Sequence, residues 1–92
     1  METWISAQVS LYPLRQPRLT PVIDEALDTL RKLGLRVEPG AMSTVIAGEQ
    51  EVVFTALKEV FRRAAASGDI VMQVAFSNAC PLPYTEELES DR

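Results

Sequence analysis

From Trp4 to Tyr12 the chain reads WISAQVSLY, and its side chains alternate. Ile5, Ala7, Val9 and Leu11 fall on one side, while Trp4, Ser6, Gln8, Ser10 and Tyr12 fall on the other. A period of two marks a strand with one face against a core. Such a strand needs both neighbours in a sheet and a layer over its apolar side. Pro13 and Pro17 then break the ladder.

The rest of the chain supplies that layer. Thr20-Pro21 predicts a helix start: threonine can cap, proline is pre-set for the first helical position, and Asp24 and Glu25 favour the positive end. Val22, Ile23, Ala26, Leu27, Leu30 and Leu33 form an apolar stripe, and Gly34 supplies the stop. Leu35 to Glu38 reads as a short strand and Pro39-Gly40 as a turn. Met42 to Ala47 returns antiparallel, ended by Gly48. Glu49 to Ala66 predicts a second helix, with Val53, Ala56, Leu57, Val60, Phe61 and Ala64 inward. Ser67-Gly68-Asp69 closes that helix, and Ile70 to Ser77 is the last strand. Beyond Asn78, Pro81, Pro83 and the acidic run EELESD read as a loosely held tail.

The order β-α-β-β-α-β in 92 residues predicts an α+β fold. Its form is a ferredoxin-like sandwich, an antiparallel four-stranded sheet with two helices on one face. We assign residues 1–81 to this domain and 82–92 to the acidic C-terminal tail. The helices can cover only one sheet face. The other would present Trp4, Ser6, Gln8, Ser10 and Tyr12 beside Val71, Gln73, Ala75 and Ser77. With Ile46 pointing at the helices, Thr44 does too, and Ser43, Val45 and Ala47 face outward. A face of this mixture suits a second subunit laid on it, so a homo-oligomer is expected.

Composition narrows the chemistry. The chain has no histidine, which removes the usual near-neutral general base and the histidine metal triad. With Cys80 as the single cysteine there is no internal disulfide and no thiolate cluster, and no metal or other cofactor is expected. An enzyme is not expected. Thirteen acids against nine bases give a net charge of -4, and no basic cluster is denser than Arg31-Lys32 or Arg62-Arg63. Nucleic acid is therefore a poor partner. No charged leader precedes an apolar segment and no apolar run approaches a membrane span, so a cytoplasmic chain without membrane insertion is expected.

Several side chains are candidates for binding a small molecule. Thr44 is either a core hydroxyl satisfied by nearby backbone or a donor and acceptor at the bottom of a pocket between sheet and helices. Ser43 has the same two readings on the opposite face. Gln8 and Ser10 lie side by side on the outer face. A glutamine amide offers a donor and an acceptor together and can read an aminopyrimidine edge, or it can pair with its copy across a subunit contact. Glu38 and Glu49 are the acids nearest the central hairpin; each could neutralise a cationic ligand or simply be solvated. Asn78-Ala-Cys80-Pro81 has nothing basic beside it to activate the thiol.

Four segments together carry a family resemblance: ISAQVSLYPL (Ile5–Leu14), LRKLGLRVE (Leu30–Glu38), GAMSTVIAGE (Gly40–Glu49) and FRRAAASGDIVMQVAFSNACP (Phe61–Pro81). In order and spacing they resemble the thiamine-binding YkoF-like group of small ferredoxin-like proteins, related to the MTH1187 family. The resemblance implies sheets packed against those of other copies into dimers or tetramers. It further implies non-enzymatic binding of thiamine or its hydroxymethylpyrimidine moiety, serving uptake through an associated transporter. On this chain the implied pocket falls on Gln8, Ser10, Ser43 and Thr44, with Glu38 a weaker addition. Because one unit is present, a site needing a neighbouring unit would be completed by another chain. The alternative is a ligand-sensing or structural homo-oligomeric module without thiamine binding.

Overall fold

In the computed structural model the alternating first segment becomes β1 (Trp4–Pro13), the strand on which the sheet is built. The structure describes residues 3–15, 20–41 and 43–79, so Cys80 and the acidic tail lie outside the described residues. The elements follow as α1 (Thr20–Lys32), β2 (Arg36–Pro39), β3 (Thr44–Glu49), α2 (Gln50–Ser67) and β4 (Ile70–Ser77). The strands form one antiparallel sheet in the order β2-β3-β1-β4. This is the ferredoxin-like α+β topology, with β1 and β3 central.

Register fixes which residues share a face. On the helix side Ala7 pairs with Ile46 and Phe76, and Val9 pairs with Thr44 and Val74. Ile5, Ala7, Val9, Ile46, Val53, Ala56, Leu57 and Val60 are buried in one core with Leu30 and Leu35. On the open side, Gln8 pairs with Val45 and Ala75, and Val45 pairs with Glu38. One row therefore runs Glu38–Val45–Gln8–Ala75 across all four strands.

The ends of α1 and α2 explain most boundary shifts. At the end of α1, Gly34 has φ 85°; its N–H donates to the Arg31 carbonyl at 3.0 Å, and the Leu35 N–H donates to Leu30 at 3.4 Å. These two bonds make a Schellman cap, closed by the buried Leu30 and Leu35. Leu33 thus lies past the helix and is exposed, although its spacing predicts the inner stripe. Asp24 and Glu25 fall beyond the first turn, which holds no acid.

α2 begins at Gln50 because Glu49 caps it. The Glu49 Oε1 accepts from the N–H groups of Glu51 at 3.1 Å and Val52 at 3.3 Å, satisfying two donors that the first turn leaves orphaned. Gly48 does not end β3; it lies within the strand, paired with Ile5. A Cβ there would run into the end of the Leu35 side chain, which would have to shift, so the glycine serves packing rather than a stop. Phe61, predicted to face inward, is exposed on the flank of α2.

Candidate functional site

A cavity of about 170 Å³ opens where the helix layer leaves the end of the sheet beside the β2–β3 connection. Its wall is mainly aliphatic: Val9 and Leu11 from β1, Ile23, Leu27 and Leu30 from α1, and Val60 from α2. Gly40 and Ala41 form its rim, and Ser43 and Thr44 line it; Ser10 also borders it, although by alternation its side chain belongs to the open face with Gln8. No described lining residue is titratable.

The rim is held by a tight turn. The Gly40 N–H donates to the Ser43 carbonyl at 2.8 Å. A Cβ on Gly40 would lie 2.8 Å from that same oxygen, closer than side-chain carbons approach backbone, so the turn needs glycine there. Ser43 precedes the first ladder residue of β3, Thr44. Alternation along a strand sends two successive side chains to opposite faces. At the strand's very end, however, both residues border the same opening. The structure thus brings Ser43 and Thr44 to one cavity without twisting the strand.

Gln8 is not in the cavity wall. It lies on the open face, where its Nε2 donates to the Ser43 Oγ at 2.9 Å. A hydroxyl that accepts in this way keeps its own O–H available to donate elsewhere. Gln8 therefore reaches the cavity only through Ser43. Glu38 is two strand spacings from Gln8, about 10 Å, and its carboxylate faces the Arg36 guanidinium at 3.6 Å. Ser43 and Thr44 thus border the cavity, Gln8 joins through one hydrogen bond to Ser43, Ser10 lies beside it with its side chain on the open face, and Glu38 is not gathered. Glu49 is engaged as the cap of α2.

The resolved pKa shifts lie elsewhere. Hydrogen bonds from Arg62 and Arg63 hold the Glu59 carboxyl down at about 2. This cluster sits on the outer surface of α2 and contributes nothing to the cavity wall. Among the described residues there is no cluster of three or more potential metal ligands, and no helix is long and apolar enough to cross a membrane.

The aliphatic wall was legible as core stripe but not as a pocket. Ile23, Leu27 and Leu30 have the spacing of one helix face. Nothing in their pattern says that the sheet stops short beneath them. What bounds the opening is the start of β3 at Thr44, opposite Val9, next to the Gly40 turn.

No curated protein matches the chain. Solved structures do match it in fold. A putative thiamine biosynthesis/salvage protein from Thermotoga maritima is 24% identical, with 97% of this chain and 99% of that chain covered and a TM-score of 0.75. A Streptococcus pneumoniae protein is 24% identical over the same shares, with a TM-score of 0.79. A hypothetical protein from Methanocaldococcus jannascii is 22% identical, covering 97% of this chain and 96% of that one, with a TM-score of 0.79. The model of the YKOF-related family matches residues 4–82, which span all six elements and every residue of the cavity wall, and the chain belongs to that family.

Proposed function

We propose that the chain binds thiamine, or its hydroxymethylpyrimidine moiety, reversibly and without chemical conversion, as a homo-oligomer. The observation that carries this reading is a mainly aliphatic cavity on the helix side of the sheet, bordered by Ser43 and Thr44 where β3 begins. A flat aminopyrimidine asks for such a place: apolar walls for its ring faces and a few hydroxyls for its edge. The membership in the YKOF-related family and the likeness to a putative thiamine biosynthesis/salvage protein support the same ligand class.

Size refines the proposal. Drug-sized ligands occupy about 300–1,000 Å³, so a cavity of about 170 Å³ suits one ring. Thiamine's second ring, the thiazolium, would extend past the mouth toward solvent or a second chain. The untitratable lining supports capture rather than acid–base catalysis. Handing the ligand to or from a thiamine-precursor transporter, on the cytoplasmic side, belongs to the same reading. The net charge of -4 would tolerate a cationic ligand. Glu38 is the weakest member of the site because Arg36 already meets its charge.

One observation favours a second reading. The Gln8 amide is engaged by Ser43 within the chain, as expected if the open face serves only assembly or sensing. Calorimetric titration with thiamine, hydroxymethylpyrimidine and a thiazolium lacking the pyrimidine separates the two. Saturable heat is expected from the first two compounds only. Thr44→Val, which keeps shape and deletes the hydroxyl, should weaken binding by about 1–3 kcal/mol. Silence with both pyrimidine compounds would sink the ligand reading and leave the structural module.

A further inference from the structure

β4 departs from its own pattern at the corner where the chain leaves the sheet. Met72, Val74 and Phe76 all face the helices; the first two are half-buried, yet Phe76 is 45% exposed. Phe54 of α2 stacks on it with ring centroids 4.6 Å apart and is itself 48% exposed. Phe61, two turns further along α2, is 46% exposed. Phe54, Lys58 and Phe61 follow the spacing i, i+4, i+7 and so share one flank of the helix. Among the described residues, Lys58 is exposed between the two rings and has no ion-pair partner. The three half-exposed rings present about 280 Å². That is close to the few hundred Å² above which a single chain rarely leaves apolar surface bare.

The chain itself supplies an occupant. β4 ends at Ser77, whose Oγ accepts from the Ala79 N–H at 3.0 Å, a bend that turns the backbone out of the ladder. Residues 80–92, CPLPYTEELESDR, follow from this corner and lie outside the described residues. Pro81 and Pro83 lack the N–H that a ladder needs and favour the polyproline II conformation. At three residues per turn and a rise of about 3.1 Å, that conformation puts Pro81 and Tyr84 on one side, about 9 Å apart. Phe54 and Phe61 are about 10.5 Å apart along α2, so the two spacings match. After Tyr84 come the acids Glu86, Glu87, Glu89 and Asp91.

We propose that the segment 81–87 of the same chain lies along this flank of α2 as a strap. Pro81 and Leu82 cover the Phe54–Phe76 pair, and Tyr84 covers Phe61. Glu86 and Glu87 then meet Lys58 and Arg62, whose guanidinium also holds Glu59. Proline-rich segments seat on aromatic surfaces because they lose little conformational entropy on docking. Two considerations favour this occupant over a separate chain. Pro81 is two residues from Ala79, within about 7 Å of it, so the segment is held at the patch at a high effective concentration. A stable contact between two chains takes about 800 Å² from each, and the patch offers about a third of that. None of Phe54, Phe61 and Phe76 lines the ligand cavity, so the strap does not depend on the ligand reading.

NMR spectroscopy and limited proteolysis on the full chain test the strap. In isotope-labelled protein, nuclear Overhauser contacts are expected from the Tyr84 ring to Phe61 and from the Leu82 methyls to Phe54 or Phe76. A glutamate-specific protease should cut at Glu86 and Glu87 about tenfold faster in Tyr84→Ser than in the unmodified chain, because cleavage follows the undocked population. Lys58→Glu should accelerate the same cuts by a smaller factor. Tyr84 lies beyond β4, so its replacement leaves the core residues in place and the far-ultraviolet circular dichroism unchanged. Equal cleavage rates in the unmodified chain and Tyr84→Ser would overturn the proposal, as would a Tyr84 ring without contacts to α2. Contacts that appear only between labelled and unlabelled chains in a mixed sample would also overturn it, by assigning the patch to a second copy.

Discussion

Ile46 has no exposed surface, held between Ala7 and Val37 beneath the helices. One residue earlier on the same strand, Val45 is only partly buried, between Gln8 and Glu38 on the open face. The backbone is common to both, so the difference lies in what covers it. On the helix side, aliphatic side chains of four strands meet those of two helices, and shape decides what fits. On the open side, contacts among the described residues include those between polar groups, Gln8 to Ser43 and Arg36 to Glu38. Close packing resists exchange of partners, whereas hydrogen bonds between half-exposed groups can be traded for those of a ligand or subunit. The cavity lies where these two regimes meet, at the sheet end.

The sharpest way to break this contrast is Ile46→Ala. Removing a fully buried branched side chain loses its transfer free energy and leaves a cavity, at a cost of about 2–5 kcal/mol. Urea unfolding of the variant should show that loss as a lower midpoint with an unchanged slope. A cost below about 1 kcal/mol would mean that the helix layer does not pack on β3 as described.

Glu49 sharpens the contrast because it belongs to neither side alone. By alternation it shares the open face with Val45 and Ala47, yet its carboxylate turns to cap α2. Glu49→Ala should cost about 0.5–2 kcal/mol of stability. Glu49→Gln keeps an acceptor for the two N–H groups and loses only the charge at the helix's positive end, about 0.3–1 kcal/mol. Equal losses from the two substitutions would contradict the capping role, and thermal or urea melts of both variants would reveal it.

The same contrast explains what could be read in advance. All six elements and the ferredoxin-like order followed from alternation in Trp4–Tyr12, two helical stripes and the stops at Gly34 and Gly68, whereas Gly48 proved to lie inside β3. Hydrophobic burial on one face leaves an imprint in every strand residue, so the helix side was legible. Phe61 and Leu33 misled because an apolar residue at the margin of a stripe can end at the flank or past the cap. On the open side, Ser6 and Ala47 are buried where alternation alone predicts exposure. They are short side chains in the row Arg36–Ala47–Ser6–Ser77, and residue type does not record shielding by longer neighbours. The candidate site was legible as a list of hydroxyls and an amide. Its connectivity was not, because the meeting of Ser43 and Thr44 depends on where β3 begins and how the Gly40 turn holds it.

The smallest effect on stability is expected from Gln8→Ala, and it tests whether the open face reaches the cavity. Gln8 is exposed and makes one side-chain hydrogen bond, so deleting its amide should change stability by less than about 0.5 kcal/mol. Its effect on ligand affinity would pass through Ser43. With Gln8 donating to the Ser43 Oγ, the serine O–H would remain available to donate toward the cavity. Gln8→Ala and Ser43→Ala should then each weaken hydroxymethylpyrimidine binding, by about 0.5–1.5 kcal/mol. Their combination should cost no more than Ser43→Ala alone, since residues acting through one hydrogen bond are not additive. Calorimetry on the two single variants and the double variant closes that cycle. Additive losses would show the amide and the hydroxyl working independently, and the two sheet faces would then be separate surfaces with no path between them.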